Sequence, residues 1–122
     1  TLKQLFNCSI MRDMLDQNQR VELAETFGLL SDPTRLAIVL VCLDRRNSAG
    51  QIAKKLELSA SLVSHHLRLL RAARMLRSER MGKQVFYEMS DTCVYDILNI
   101  MINHLFAHNS SDSERATIGE VQ

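Results

Sequence analysis

Between residues 48 and 89 the spacing of apolar side chains changes abruptly, and few folds accommodate the change. Ile52, Ala53 and Leu56, then Leu62, Val63, Leu67 and Leu70, recur at the three-or-four spacing of helices that bury one face. After Met75 the period falls to two: Leu76-Arg77-Ser78-Glu79-Arg80 and Gln84-Val85-Phe86-Tyr87-Glu88-Met89 read as strands. Met81-Gly82-Lys83 separates them, with a glycine available for positive φ, so a hairpin is expected. Glu57-Leu58-Ser59 is the turn between the two short helices. Ser48 is placed to cap the first, and the second begins at Ser59 or Ala60.

The flanking segments are helical. Ser31-Asp32-Pro33 is a helix start, a capping side chain followed by a proline whose missing N–H costs nothing there. The helix it opens runs through the continuous apolar residues 36–43 and ends before Asn47; apolar on all sides, it is expected to be central and buried. Before it, Leu2, Leu5, Phe6, Ile10 and Met14 form one helical pattern. Val21, Leu23, Ala24, Phe27 and Leu30 form another, after a polar break at Asp16-Gln17-Asn18-Gln19. Ser90-Asp91 caps a last helix from Thr92 to about His108, with Val94, Ile97, Leu98, Met101, Ile102, Leu105 and Phe106 as its apolar residues and Ile100 on another face. Residues 109–122 are polar and read as a disordered tail. A chain of 122 residues, 46% hydrophobic, then makes one domain over residues 1–108. The expected fold is mainly α with a β-hairpin (α+β), a winged helix-turn-helix.

Charge is segregated along this order. Residues 45–83 carry ten Lys or Arg against Glu57 and Glu79, a net +8, whereas residues 1–44 sum to −2 and residues 84–122 to −5. A basic middle between acidic flanks is the footprint of a surface for a polyanion, and double-stranded DNA is the expected partner. On the second short helix Ser61, Ser64, His65, Arg68 and Arg71 fall outward. The serine hydroxyls suit base edges or phosphates, and Arg68 can fork onto a guanine or grip a phosphate. His66 lies about 100° round the helix from His65 and can face either the DNA or the protein. Lys83 and Gln84 at the hairpin tip are expected to reach the adjacent minor groove or its phosphates, and Arg77 and Arg80 leave one charged edge for the backbone.

Other classes fit poorly. The longest apolar run is eight residues, too short to span a bilayer, and residues 1–14 have no apolar signal core. Cys8, Cys42 and Cys93 are odd in number and far apart, unlike a disulfide framework, so a cytoplasmic location is expected. A glycine-rich nucleophile elbow, a phosphate loop and an acid to orient His65 are all missing, so an enzyme is not expected. A protein-interaction adaptor on a degenerate winged helix is the alternative, and it predicts no salt-dependent DNA affinity.

Three strings carry a resemblance. Ser31-Asp32-Pro33-Thr34-Arg35-Leu36 is followed by Ile52-Ala53-x-x-Leu56-x-Leu58-Ser59-x-Ser61-x-Val63-Ser64-His65-His66-Leu67-x-x-Leu70. Gly82-Lys83-x-Val85-Phe86-Tyr87 comes third. Together, over about residues 19–108, they resemble the ArsR/SmtB family of bacterial winged-helix repressors. The resemblance implies a homodimer joined through N- and C-terminal helices, an inverted-repeat operator, and an inducer, usually a metal ion, that releases the DNA. No separate protein partner is implied.

The nitrogen and sulfur ligands outside the helix-turn-helix are Cys8, Cys42, Cys93, His104 and His108. Cys93 and His104 lie about 20° apart around a helix but about 16 Å apart along it. One helix cannot bring both to one ion; two antiparallel copies can, giving Asp91 and Cys93 from one and His104 and His108 from the other. One thiolate with imidazoles suits Zn2+ or Co2+. The family's interfacial pattern is Asp-x-His, ten residues, then His-x-x-His or His-x-x-Glu. Asp91, the gap and His104 match it, Cys93 replaces a histidine, and His108 stands one place beyond Ala107. The family's other thiolate site is absent, since Ser48 and Gln51 occupy its positions. Some relatives sense reactive sulfur or oxidants through a cysteine pair, which here would be Cys42 with Cys93. Cys8 has no assignable role.

Overall fold

The computed structural model describes residues 13–107. Cys8, His108, the first helical pattern up to Ile10 and the 109–122 tail lie outside the described residues. Helix α1 (Gln17–Leu30) opens on a capping box: Asp16 Oδ1 accepts from Gln19 N at 2.8 Å, and Gln19 Oε1 accepts from Asp16 N at 3.0 Å. The polar residues expected to break the helix therefore form its first turn. Polar side chains are well suited to that place, because they satisfy amides that have no partner within the helix.

Helix α2 (Pro33–Asp44) starts as expected, with Asp32 as cap, Pro33 in the first turn, and Arg35 N donating to Asp32 Oδ2 at 2.9 Å. It is not buried all round: Ile38, Val39 and Cys42 are in the core, but Leu40 is 40% exposed. A two-residue strand β1 (Asn47–Ser48) leads into α3 (Ala49–Leu56), where Ser48 and Gln51 form a second capping box. Glu57, in the left-handed region at φ 55°, ends α3, and Ser59 Oγ accepts from Leu62 N to start α4 (Ala60–Ala72). Strands β2 (Leu76–Met81) and β3 (Gln84–Met89) follow. Helix α5 (Thr92–Ile102) is capped by Asp91 and continues into a π-helical turn (Asn103–Ala107) instead of running on as regular α-helix.

The sheet has the order β1-β3-β2, all antiparallel. Met81 pairs with Gln84 across a two-residue turn, and Gly82 takes φ +66° at its first position, where this kind of turn favours glycine. The extra strand β1 sets Asn47 opposite Tyr87 and Ser48 opposite Phe86. Asn47 is only 2% exposed, and its side chain is fully engaged: Nδ2 donates to Arg45 O at 2.8 Å, and Oδ1 accepts from Lys55 Nζ at 2.9 Å.

Ile38, Val39 and Cys42 of α2, Ile52 of α3, Val63, Leu67 and Leu70 of α4, and Met75 and Leu76 form the core. Burying each large aliphatic side chain contributes about 1.5–3 kcal/mol. The two outer helices contribute little: neither α1 nor α5 has a fully buried residue. Phe27, Tyr95, Ile100, Met101 and Phe106 are each at least half exposed. Among the described residues no single helix is long and apolar enough to cross a membrane.

Candidate nucleic-acid interface

The core fixes which way α4 faces. Val63, His66, Leu67 and Leu70 are buried, a stripe at spacings of three, one and three. Ser61, Ser64, His65, Arg68 and Arg71 are exposed, as expected from their spacing. Two expectations are corrected. His66, considered for a DNA contact, is only 7% exposed and turned into the protein. Its place in the four-residue stripe was the available signal. Leu62, expected inward, is 39% exposed because it lies to one side of the same stripe.

His66 meets a polar knot. Arg35 Nη1 lies 3.5 Å from His66 Nδ1, and Arg35 Nε donates to Leu29 O at 2.8 Å. Burial, above all, holds the imidazole below its usual range; Asp32 opposes this, and Arg35 and His65 reinforce it. The Arg35 amide at its cap holds the Asp32 carboxyl below its usual range.

The basic segment divides into engaged and unengaged cations. Arg45 pairs with Asp44, Arg46 with Glu79 at 3.3 Å, and Arg77 with Glu88 at 2.9 Å across the strands. Arg77 is therefore committed within the sheet and does not extend the charged edge expected of it. Arg80 Nε donates to Gly82 O at 3.4 Å, which ties it to the hairpin turn. Arg68, Arg71 and Lys83 make no side-chain hydrogen bond or ion pair with another described residue. Lys83 and Gln84 sit exposed at the hairpin tip. Lys54 and Arg74 are likewise unengaged among the described residues, while Arg68, Arg71 and Lys83 stand on α4 and at the end of the hairpin, the parts of a winged helix-turn-helix that meet a duplex.

The metal-ligating candidates are distributed differently. Asp91 Oδ1 accepts from Cys93 N at 2.8 Å as a helix cap, and Cys93 is an exposed free thiol. Neither the second carboxylate oxygen nor the sulfur is bonded within the described residues, so both suit a cation. His104 is exposed on the π-helical turn at the other end of the segment. Among the described residues no three His, Cys, Asp or Glu side chains of one chain converge on a point. The length of α5 keeps these candidates apart. The alternative pair is not presented as two reactive thiols: Cys42 is buried, and burial pushes its thiol up to about 11, leaving little thiolate at neutral pH.

Such an arrangement defines a winged helix-turn-helix, a non-enzymatic, DNA-binding class of regulator. A family model described as bacterial regulatory protein, arsR family, matches residues 32–78. The transcriptional repressor SdpR of Bacillus subtilis is 32% identical over 88 residues, spanning 72% of this chain and 94% of that protein. A homologue of the transcriptional repressor SmtB from Synechocystis is 29% identical over 96 residues, 79% of this chain and 73% of the relative. The crystal structure of NolR from Sinorhizobium fredii superposes with a TM-score of 0.66 at 28% identity, covering 75% of this chain and 94% of that one. The chain belongs to the ArsR family of bacterial regulatory proteins and is a transcriptional repressor of the ArsR/SmtB type.

Proposed function

We propose that two copies of this chain bind an inverted-repeat operator in duplex DNA and leave it when a metal ion bridges their C-terminal helices. One observation carries the DNA reading: among the described residues Arg68, Arg71 and Lys83, on α4 and the hairpin tip, have no side-chain partner, while Arg45, Arg46 and Arg77 are paired with acids. In this reading α4 enters the major groove with Ser61, Ser64, His65 and Arg68 toward the DNA. Arg71 meets the groove wall, and Arg80, Lys83 and Gln84 bring the hairpin to the neighbouring minor groove. The exposed apolar residues of α1 and α5 support dimerisation, since apolar surface of that extent is rarely left to water.

Asp91 and Cys93 of one subunit, with His104 and His108 of the other, are the donors for the ion. When bound, it would supply a positive charge between the two α5 helices. Zn2+ or Co2+ suits one thiolate with imidazoles. An ion that ties the subunits in one arrangement releases DNA if that arrangement spaces the two α4 helices wrongly for successive major grooves.

A gel shift with DNA from upstream of the gene, run at two salt concentrations, tests the reading. Binding is expected to be sequence-selective and to weaken steeply with salt. Arg68→Ala is expected to lose it with an unchanged circular-dichroism spectrum. Salt-independent or absent binding overturns the repressor mechanism in favour of a protein-binding adaptor.

A further inference from the structure

Ser64, Arg68 and Arg71 share a cleft. With Leu67, Ala72 and Tyr87 they line a space of about 410 Å3 between α4 and the sheet. We propose that this cleft seats one phosphate of the DNA backbone, and that Tyr87 is the residue on the wing that fixes it. The proposal rests on the DNA reading above and assigns Tyr87 a positioning role in it.

The geometry of a helix in a groove supplies the first argument. A helix with its side chains is about 10–12 Å across and the major groove about 12 Å wide, so the helix presents its tip to the bases and its flanks to the phosphodiester walls. At about 100° per residue, Ser61 and His65 lie opposite the buried stripe of α4, whereas Ser64 and Arg71 lie to one side. The shared cleft with Tyr87 shows that this side is the one facing β3. Residues placed there meet a groove wall.

Chemistry supplies the second argument. The lining offers two guanidinium groups and two hydroxyls and includes no carboxylate. None of the four polar groups is engaged by another described side chain. Tyr87 is also held in place. Its ring packs against the core, and its backbone lies between Asn47 of β1 and Ser78 of β2 on the central strand. A hydroxyl on so fixed a ring loses little freedom when an oxyanion arrives.

The test uses the full chain and a duplex selected by the wild type from a randomised pool. Fluorescence anisotropy is read at several salt concentrations and on duplexes carrying one neutral methylphosphonate at each position in turn. Tyr87→Phe is expected to weaken binding about ten-fold, the loss of a hydrogen bond to a charged group, without changing the slope of log K against log salt. Arg71→Ala is expected to weaken binding and to reduce that slope by about 0.9 for each bound subunit. At one position per half-site, the methylphosphonate should weaken Tyr87→Phe by less than it weakens the wild type, because only the hydroxyl's share of the contact is already lost while Arg68 and Arg71 remain. Tyr87→Phe binding like the wild type, or losses that simply add at every position, overturns the phosphate seat while leaving the DNA reading intact. A wild type that selects no duplex overturns the DNA reading itself, and the seat with it.

Discussion

The guanidinium of Arg35 joins three helices: Nη1 stands 3.5 Å from His66 Nδ1 on α4 while Nε holds Leu29 O at the end of α1. An arginine can only donate, so the imidazole accepts at Nδ1 and carries its proton at Nε2. A protonated His66 loses this contact. Burial lowers the folded-state pKa below the ordinary 6.5. As pH falls through that ordinary value, the unfolded chain takes up a proton before the folded one does, so stability declines until the folded-state pKa is passed. Urea unfolding should show a less stable wild type at pH 5.5 than at pH 7.5. His66→Gln should remove most of the difference. An equal pH dependence in the variant would place its source elsewhere.

Gly82 takes φ +66° with nothing within 4 Å of where a Cβ would stand, so its constraint is backbone conformation and not space. Gly82→Asn should cost less than a β-branched substitution, because asparagine tolerates positive φ better. Gly82→Val should cost about 1–3 kcal/mol in thermal or urea unfolding, because a β-branched residue is strained there. DNA affinity of the valine variant should fall as well, since the turn sets the position of Lys83.

Ile100 is 64% exposed on α5, among neighbours that are also uncovered. Ile100→Asp should shift sedimentation from dimer to monomer with helicity retained. It should weaken operator binding at least about ten-fold, because a single subunit engages one half-site. A dimer of unchanged stability would remove α5 from the interface.

Zn2+ or Co2+ should lower DNA affinity, and a chelator should restore it. A coupling of about 1–3 kcal/mol is the ordinary size of such an effect. His104→Ala should abolish the response. The Co2+ form should show thiolate charge-transfer absorption that Cys93→Ser removes. Release by an oxidant with no response to metal would favour cysteine chemistry instead.

The order of elements was legible because its signals are local. Asp32-Pro33, Ser48, Ser59 and Asp91 each act on amides within one turn, and each caps the helix it was expected to cap. Strand β1 was not legible, since two residues carry no period. The sideways position of Leu62 and the inward one of His66 depend on angle around α4, which apolarity alone does not reveal. The π-helical turn at Asn103 has no sequence signal that we recognise. Of the candidate interface, Ser61, Ser64, His65, Arg68 and Arg71 were visible from their spacing. Which cations are spent within the fold was not, because Arg77 and Glu88 are eleven residues apart and meet only through the strand register. The proposed metal donors are legible as residue types, but their convergence would depend on a second subunit.

The pairing of Asn47 and Ser48 with Tyr87 and Phe86 ties the hairpin to the start of α3. The hairpin is therefore braced against α3, and α3 in turn packs on α4, the proposed reading helix. In the proposed dimer each protomer would then approach its half-site as a stiff plate, and a signal arriving at the rim would be felt as a change in pitch between two plates. An operator whose half-sites are moved apart by one base pair should for that reason be discriminated more sharply than one with altered bases under the hairpin.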